Sequence, residues 1–233
     1  MEAIILAGGL GTRLRAVISD LPKPMAPIKG RPFLEYQMDF WIVQGVDRII
    51  LSVGYKGEVI RAHFGDRYGD AEVVYAEEDR QLGTGGALIN AAHQIKLPTD
   101  FLLLNGDTYY EVSLAKLRQA HAAADADMTL ALRELNVNDR YSGVRLGAQS
   151  EVIEFQRRDE PVRERLVNGG VYLINPRVLK HLMLPADRAL SLEDEILPDL
   201  LKQGRRICGH VVAGQFLDIG LPEDYRRAPA LFS

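Results

Sequence analysis

Three groups of residues in this chain have types and spacing suited to anions and cations. Gly8, Gly9 and Gly11 crowd together just before Arg13. Without Cβ atoms, their backbone N–H groups can approach a phosphate or a flat ring, and Arg13 then falls beside the anion. A tight turn with no ligand is the plain alternative. Lys23 stands between Pro22 and Pro24, whose fixed φ angles limit the freedom the lysine would lose on engaging a phosphate. A solvated loop lysine is the competing reading. Asp107 in NGDTYY and Asp218 in FLDIG each follow a short apolar run. Magnesium prefers one or two carboxylates completed by phosphate oxygens and water, yet either aspartate alone reads equally well as a turn former or helix cap.

Spacing excludes the common phosphate motifs. No Lys-Ser or Lys-Thr follows the glycines, so the Walker A pattern fails. A dinucleotide fingerprint would begin at Gly9-Leu10-Gly11, but Leu14 stands where its third glycine belongs, and DRIILSV ends in Gly54-Tyr55 without a ribose-binding acid. An NAD-linked oxidoreductase is correspondingly disfavoured. His63, His93, His121, His181 and His210 lack metal-ligand spacing, which argues against zinc. Cys208, the only cysteine, lies in the alternating run RRICGHVV and reads as a small core residue.

The elements that must position these groups follow from periodicity. Apolar runs AIILA, DRIILSV, AEVVYA, DFLLLN, MTLAL and NGGVYLI read as strands, separated in the first half by helical patterns. PFLEYQMDFWIVQG and LSLEDEILPDLLKQG read as amphipathic helices closed by Gly45 and Gly204, and SLAKLRQAHAAADAD as a helix capped by Ser113. Continuous apolar strands alternating with helices predict an α/β, doubly wound, mostly parallel sheet with helices on both faces. Its ligand crevice lies past the carboxyl ends of the strands, where GGLGTRLR and NGD fall. Beyond about residue 140, YSGVRLG, SEVIEFQ and RLVNGGVYLIN suggest a smaller β layer. Asn168-Gly169-Gly170 carries a hairpin turn signal.

The chain of 233 residues is 47% hydrophobic and 26% charged, an ordinary globular balance. A formal charge of -4 offers no basic field for nucleic acid or an anionic membrane, so phosphate recognition must be local. MEAIILAGG is too short and lacks the basic flank of a secretory signal, and no apolar run approaches bilayer-spanning length. With a single cysteine as well, a cytoplasmic location is expected.

AGGLGTRLR followed by LPKPMAPIKGRPF resembles the sugar-1-phosphate nucleotidylyltransferases, whose signature is a GGxGTRL loop and a PKP segment. The resemblance runs from Glu2 to DIGLPEDY. It implies a Rossmann-like nucleotide-diphospho-sugar transferase fold forming one domain over 1–233, with a nucleotide-binding part at about 1–135 and a sugar-binding part at about 136–215. It also implies an enzyme that joins a nucleoside triphosphate to a sugar 1-phosphate and releases pyrophosphate. The texture of the segments points to GTP, with UTP and dTTP as alternatives. Leu6, Ala7, Gly8, Gly9, Gly11 and Thr12 would wrap the nucleotide, Arg13 and Lys23 would bind phosphate oxygens, and Asp107 and Asp218 would share Mg²⁺.

By the same resemblance Gln81, Leu82, Gly83 and Gly86 help to read the base. Asn105, Gly143, Asn168, Gly169 and Glu193 would hold the sugar, although an acid at a helix start is also explained by the macrodipole. Many members carry Glu-Lys where this chain has Gln156-Arg157-Arg158. Arg158 would then replace a phosphate-gripping lysine with a longer bidentate group. A catalytically silent nucleotide-sugar sensor on the same fold is the rival of a different class. A homo-oligomer is compatible with the chain, which ends shortly after DIGLPEDYRRA without the repeat-rich extension some members use for assembly.

Overall fold

A computed structural model describes residues 1–11, 14, 20–134, 143–156, 166–183 and 188–232. The chain opens with β1 (Glu2–Leu6). A single 3-10 turn, Lys23–Met25, leads to β2 (Pro27–Ile28), β3 (Arg31–Pro32) and α1 (Phe33–Ile42). Alternation follows with β4 (Arg48–Val53), α2 (Gly57–Phe64), β5 (Arg67–Tyr68), β6 (Ala71–Glu77), α3 (Gly83–Gln94) and β7 (Phe101–Asn105). Next come β8 (Thr108–Tyr110), α4 (Leu114–Ala123), β9 (Met128–Glu134), β10 (Val144–Leu146), β11 (Val152–Phe155) and β12 (Leu166–Ile174). A π-helical turn, Leu192–Ile196, then precedes α5 (Leu197–Lys202), β13 (Ile207–Val211), β14 (Phe216–Asp218) and α6 (Pro222–Arg227).

Eight strands form the central sheet in the order β13-β9-β12-β7-β1-β4-β6-β5. β1, β4, β6, β7, β9 and β13 run one way, and β5 and β12 run the other. Side-chain alternation divides the apolar runs between two faces. Ala3, Ile5, Leu51 and Leu104 pack with Leu34, Met38 and Trp41 of α1, Ile60 of α2 and Leu117 of α4. Ile4, Ile50 and Leu103 pack on the opposite face with Leu88 and Ala91 of α3 and Leu197 and Leu200 of α5. The sheet is therefore doubly wound, as the continuous apolar strands predict.

Several local expectations are met. Ser113 accepts a hydrogen bond from the Lys116 N–H, and Gly45 and Gly204 close their helices with φ of +98° and +70°. Cys208 is buried in β13 as a free thiol. Others need correction. β10 and β11 do form a small separate antiparallel pair, but RLVNGGVYLIN enters the central sheet as β12. The hairpin reading of Asn168-Gly169-Gly170 fails too, because those residues lie within β12, where the register with β9 slips between Asn168 and Tyr172. The turn chemistry is still expressed, since Asn168 Oδ1 accepts the Gly170 N–H at 3.0 Å and Gly170 has a φ of +71°. It makes a bulge instead of a reversal. No described helix is long and apolar enough to cross a membrane.

Candidate active site

The carboxyl ends of β1, β4, β6 and β7 meet at one edge of the sheet. The amino end of β12 joins them because that strand is antiparallel to β7, with Val171 opposite Leu104. A cleft of about 370 Å³ opens along this edge. Leu6, Ala7, Gly8, Gly9 and Gly11 line it after β1, Lys23 and Pro24 from the 3-10 turn, Gln81, Leu82 and Gly83 before α3, and Asn105 and Asp107 after β7. Thr12, Arg13 and Arg158 lie outside the described residues.

Close approach explains the glycines. A Cβ on Gly106 would stand 2.4 Å from the Leu6 carbonyl oxygen, and one on Gly83 would stand 2.6 Å from that of Leu190. Gly11, at φ +57°, lies so close to Lys23 that a Cβ would come within 2.9 Å of the lysine Cβ. The glycine loop and the proline-flanked turn thus meet. Pro22 holds an extended φ/ψ of −65°/146° ahead of the turn and presents Lys23 to the cleft.

Lys23 Nζ donates to Asp107 Oδ2 at 2.5 Å, and the lysine side chain is only 13% exposed. Burial pushes the Asp107 carboxyl up, but the Lys23 ammonium outweighs it and holds the group below its ordinary value. Asp218 arrives from the other end of the chain. β14 pairs antiparallel with β8, which sets Asp218 opposite Thr108, and the Ile219 N–H donates to the Asp107 carbonyl at 3.0 Å. A Cβ at Gly220 would lie 2.6 Å from Asp218 Oδ1 and 3.2 Å from Lys23 Nζ, so the ammonium and the second carboxylate share that small space. Two residues 111 positions apart in sequence (218 − 107) are therefore brought beside one another and beside one cation.

Two carboxylates flanking a cationic group on a cleft edge form a donor set that suits magnesium, which draws its other ligands from phosphate and water. Among the described residues there is no group of three or more His, Cys, Asp or Glu that would make an all-protein metal cage.

Not every expected site residue reaches the cleft. Gly86 is buried and its N–H donates to the Leu190 carbonyl, as does that of Gly85, so the first turn of α3 is capped by the chain itself. Gly143 bridges Val167 at the edge of the small β layer. Asn168 and Glu193 are joined through Tyr172. Asn168 Nδ2 donates to the Tyr172 hydroxyl at 2.6 Å, and that hydroxyl donates to Glu193 Oε1 at 2.9 Å. Glu193 Oε2 accepts from Thr84 Oγ1 at 2.7 Å, and Thr84 lines the cleft. Gly169 packs on Tyr110, whose ring a Cβ would approach to 2.5 Å.

Sequence reasoning passed over Thr84, Tyr172, Gln37 and Glu78. Gln37 is 2% exposed and its amide donates to the carbonyls of Asn105 at 2.9 Å and Thr108 at 2.8 Å, clamping the NGD turn from α1. Glu78 directly follows β6, so the rule that polar residues after strands line the crevice already pointed to it.

Comparison with known proteins agrees with this geometry. Residues 2–232 match the nucleotidyl transferase family model, and the chain belongs to that family. Among its relatives, the D-glycero-α-D-manno-heptose 1-phosphate guanylyltransferase of Aneurinibacillus thermoaerophilus is 42% identical over 228 residues, covering 98% of this chain and 96% of the relative. The enzyme of the same name from Campylobacter jejuni is 38% identical, with 97% of each chain covered. The crystal structure of HddC from Yersinia pseudotuberculosis complexed with GMP-PN superposes with a TM-score of 0.83 at 35% identity, covering 100% of this chain and 99% of that one.

Proposed function

We propose that this nucleotidyltransferase transfers guanylate from GTP to D-glycero-α-D-manno-heptose 1-phosphate, forming a GDP-sugar and pyrophosphate. The observation that carries the reading is the convergence of Lys23, Asp107 and Asp218 on the glycine-lined cleft. The names of the full-length relatives at 42% and 38% identity supply the nucleotide and the sugar.

An oxygen of the sugar 1-phosphate attacks the α-phosphorus in line; a new P–O bond forms, the bond to the β-phosphate oxygen breaks, and pyrophosphate leaves. The attacking phosphate is already ionised near neutral pH, so no general base is required. The barrier is mostly the alignment of two anions against their repulsion. Lys23 binds phosphate oxygens, as does Arg13 by the family resemblance. Asp107 and Asp218 would hold Mg²⁺, which when bound neutralises phosphate charge and fixes its orientation. Residues up to about 135 take the nucleotide, and those from about 136 to 215 face the sugar through Asn168, Gly169 and Glu193, with Gly143 and Arg158 beside them.

A matrix of nucleoside triphosphates against sugar 1-phosphates, scored by pyrophosphate release with and without magnesium, tests the reading. The expected maximum is GTP with the heptose phosphate. Turnover confined to other pairs would overturn the substrates, and no turnover in any well would favour the sensor reading.

A further inference from the structure

Glu78 is a carboxylate at the base-reading end of the cleft that the transfer chemistry does not use. It follows β6, while Asp107 follows β7; the strand order β7-β1-β4-β6 places them three strands apart, roughly 14 Å at about 4.8 Å per strand. One cleft spans both. The Glu78 side chain turns back toward the glycine loop, so that a Cβ on Gly8 would stand 2.4 Å from Oε1. The fully buried Ser52 donates its hydroxyl to Oε1 at 2.9 Å, and the Leu82 N–H donates to the same carboxylate. These bonds fix its aim between Gly8 and Leu82.

We propose that Glu78 selects guanine by accepting hydrogen bonds from its N1–H and 2-amino groups. The proposal rests on the guanylate reading above and names the group that enforces it. A carboxylate only accepts, at about four lone-pair positions, and Ser52 and Leu82 use two of them. The two left over match an edge with two adjacent donors. Among the common bases guanine alone has such an edge. Uracil and thymine flank their one N–H with carbonyl oxygens, which a carboxylate repels, and adenine and cytosine set a ring-nitrogen acceptor beside their amino group. A negative charge in a cleft built for a triphosphate is costly unless such a partner meets it.

The test compares GTP, ITP and UTP as substrates of the wild type and of Glu78→Gln, with the thermal midpoint recorded to confirm folding. ITP lacks only the 2-amino group. Hydrogen bonds to a charged partner imply a loss of about 10–100-fold in kcat/KM for ITP relative to GTP in the wild type. In Glu78→Gln, GTP falls about 100-fold, mainly through KM, and the GTP-to-ITP and GTP-to-UTP ratios collapse towards unity. A GTP-using wild type whose variant keeps both ratios within threefold overturns the role of Glu78 alone. So does a wild type that accepts ITP as readily as GTP, even if the variant fails to fold. A wild type that ignores GTP altogether overturns the guanylate reading with it, and shows this before any variant is made.

Discussion

Replacing Lys23 with methionine keeps the length of the side chain and deletes its charge. The Lys23–Asp107 pair is neither exposed nor fully enclosed, at 13% and 39% side-chain exposure. Breaking a buried pair costs about 3–5 kcal/mol and a surface pair contributes about 0–1, so about 1–2 kcal/mol is expected here after allowance for solvent around Asp107. For a chain of this size that is a fall in Tm of roughly 2–8 °C. The pH dependence has a definite sign. Asp107 is held below its ordinary value in the folded chain, so its contribution is present above about pH 4, the unfolded aspartate value, and disappears as pH falls through the folded value. The Tm difference measured in EDTA should be full at pH 8 and close only in strong acid. Catalysis should suffer more than stability, with kcat down by roughly 100- to 1000-fold at saturating magnesium, the scale of one lost electrostatic contact to a developing charge. Lys23→Arg, which restores charge with different reach, should recover only part of this. A folded Lys23→Met enzyme with kcat within threefold of wild type would refute the reasoning.

Three further outcomes follow from the geometry. Asp218→Ala should fold, because Asp218 closes a strand end and lies outside the core, yet lose magnesium-dependent pyrophosphate release by about 100-fold or more; normal activity would remove it from the metal site. Gly169→Ala should cost about 1–3 kcal/mol in urea unfolding, since its Cβ would meet the Tyr110 ring at 2.5 Å and that ring is tied by hydroxyl bonds to Leu132 and Val212 at 3.0 and 2.6 Å; a neutral result would mean that the ring can move. Glu78→Gln without nucleotide should melt no lower than wild type at pH 8. Burial raises the Glu78 carboxyl, and the Ser52 and Leu82 bonds offset this only in part, so the charged form costs stability at pH 8. That deficit disappears as pH falls through the raised value toward about 4.3, and calorimetry across this range follows it.

What could be read from the sequence divides along physical lines. Two-face burial leaves continuous apolar runs, so β1, β4, β6 and β7 were legible together with the helices between them. Glycine and proline punctuation exposed the phosphate loop and Lys23, because both residue types report backbone geometry directly. Strand direction left no such trace. β12 is apolar through its middle whether its neighbours run with it or against it, and only the pairing with β7 and β9 shows it to be antiparallel. The meeting of Asp107 with Asp218 depends on the β8–β14 pairing, a contact between the middle and the end of the chain that no local pattern encodes.

Asn168-Gly169-Gly170 and Glu78 show the two ways in which a correct local signal leads to the wrong structural or functional conclusion. An Asn-Gly pair states that the backbone will take a left-handed turn, and it does so at Gly170, but whether the chain then reverses depends on what its flanks pair with. Here β12 pairs with β9 on both sides of the irregularity, so the chain continues past a bulge that makes room for Asn105 and Tyr110. Glu78, conversely, is one of three consecutive acids and looks like a solvated surface run. Its character comes from the Ser52 hydroxyl beneath it, the Leu82 N–H beside it and the absent side chain of Gly8, three groups from three separate segments. A recognition carboxylate is thus set apart from its neighbours Glu77 and Asp79 by enclosure alone, and enclosure is a property of the folded chain.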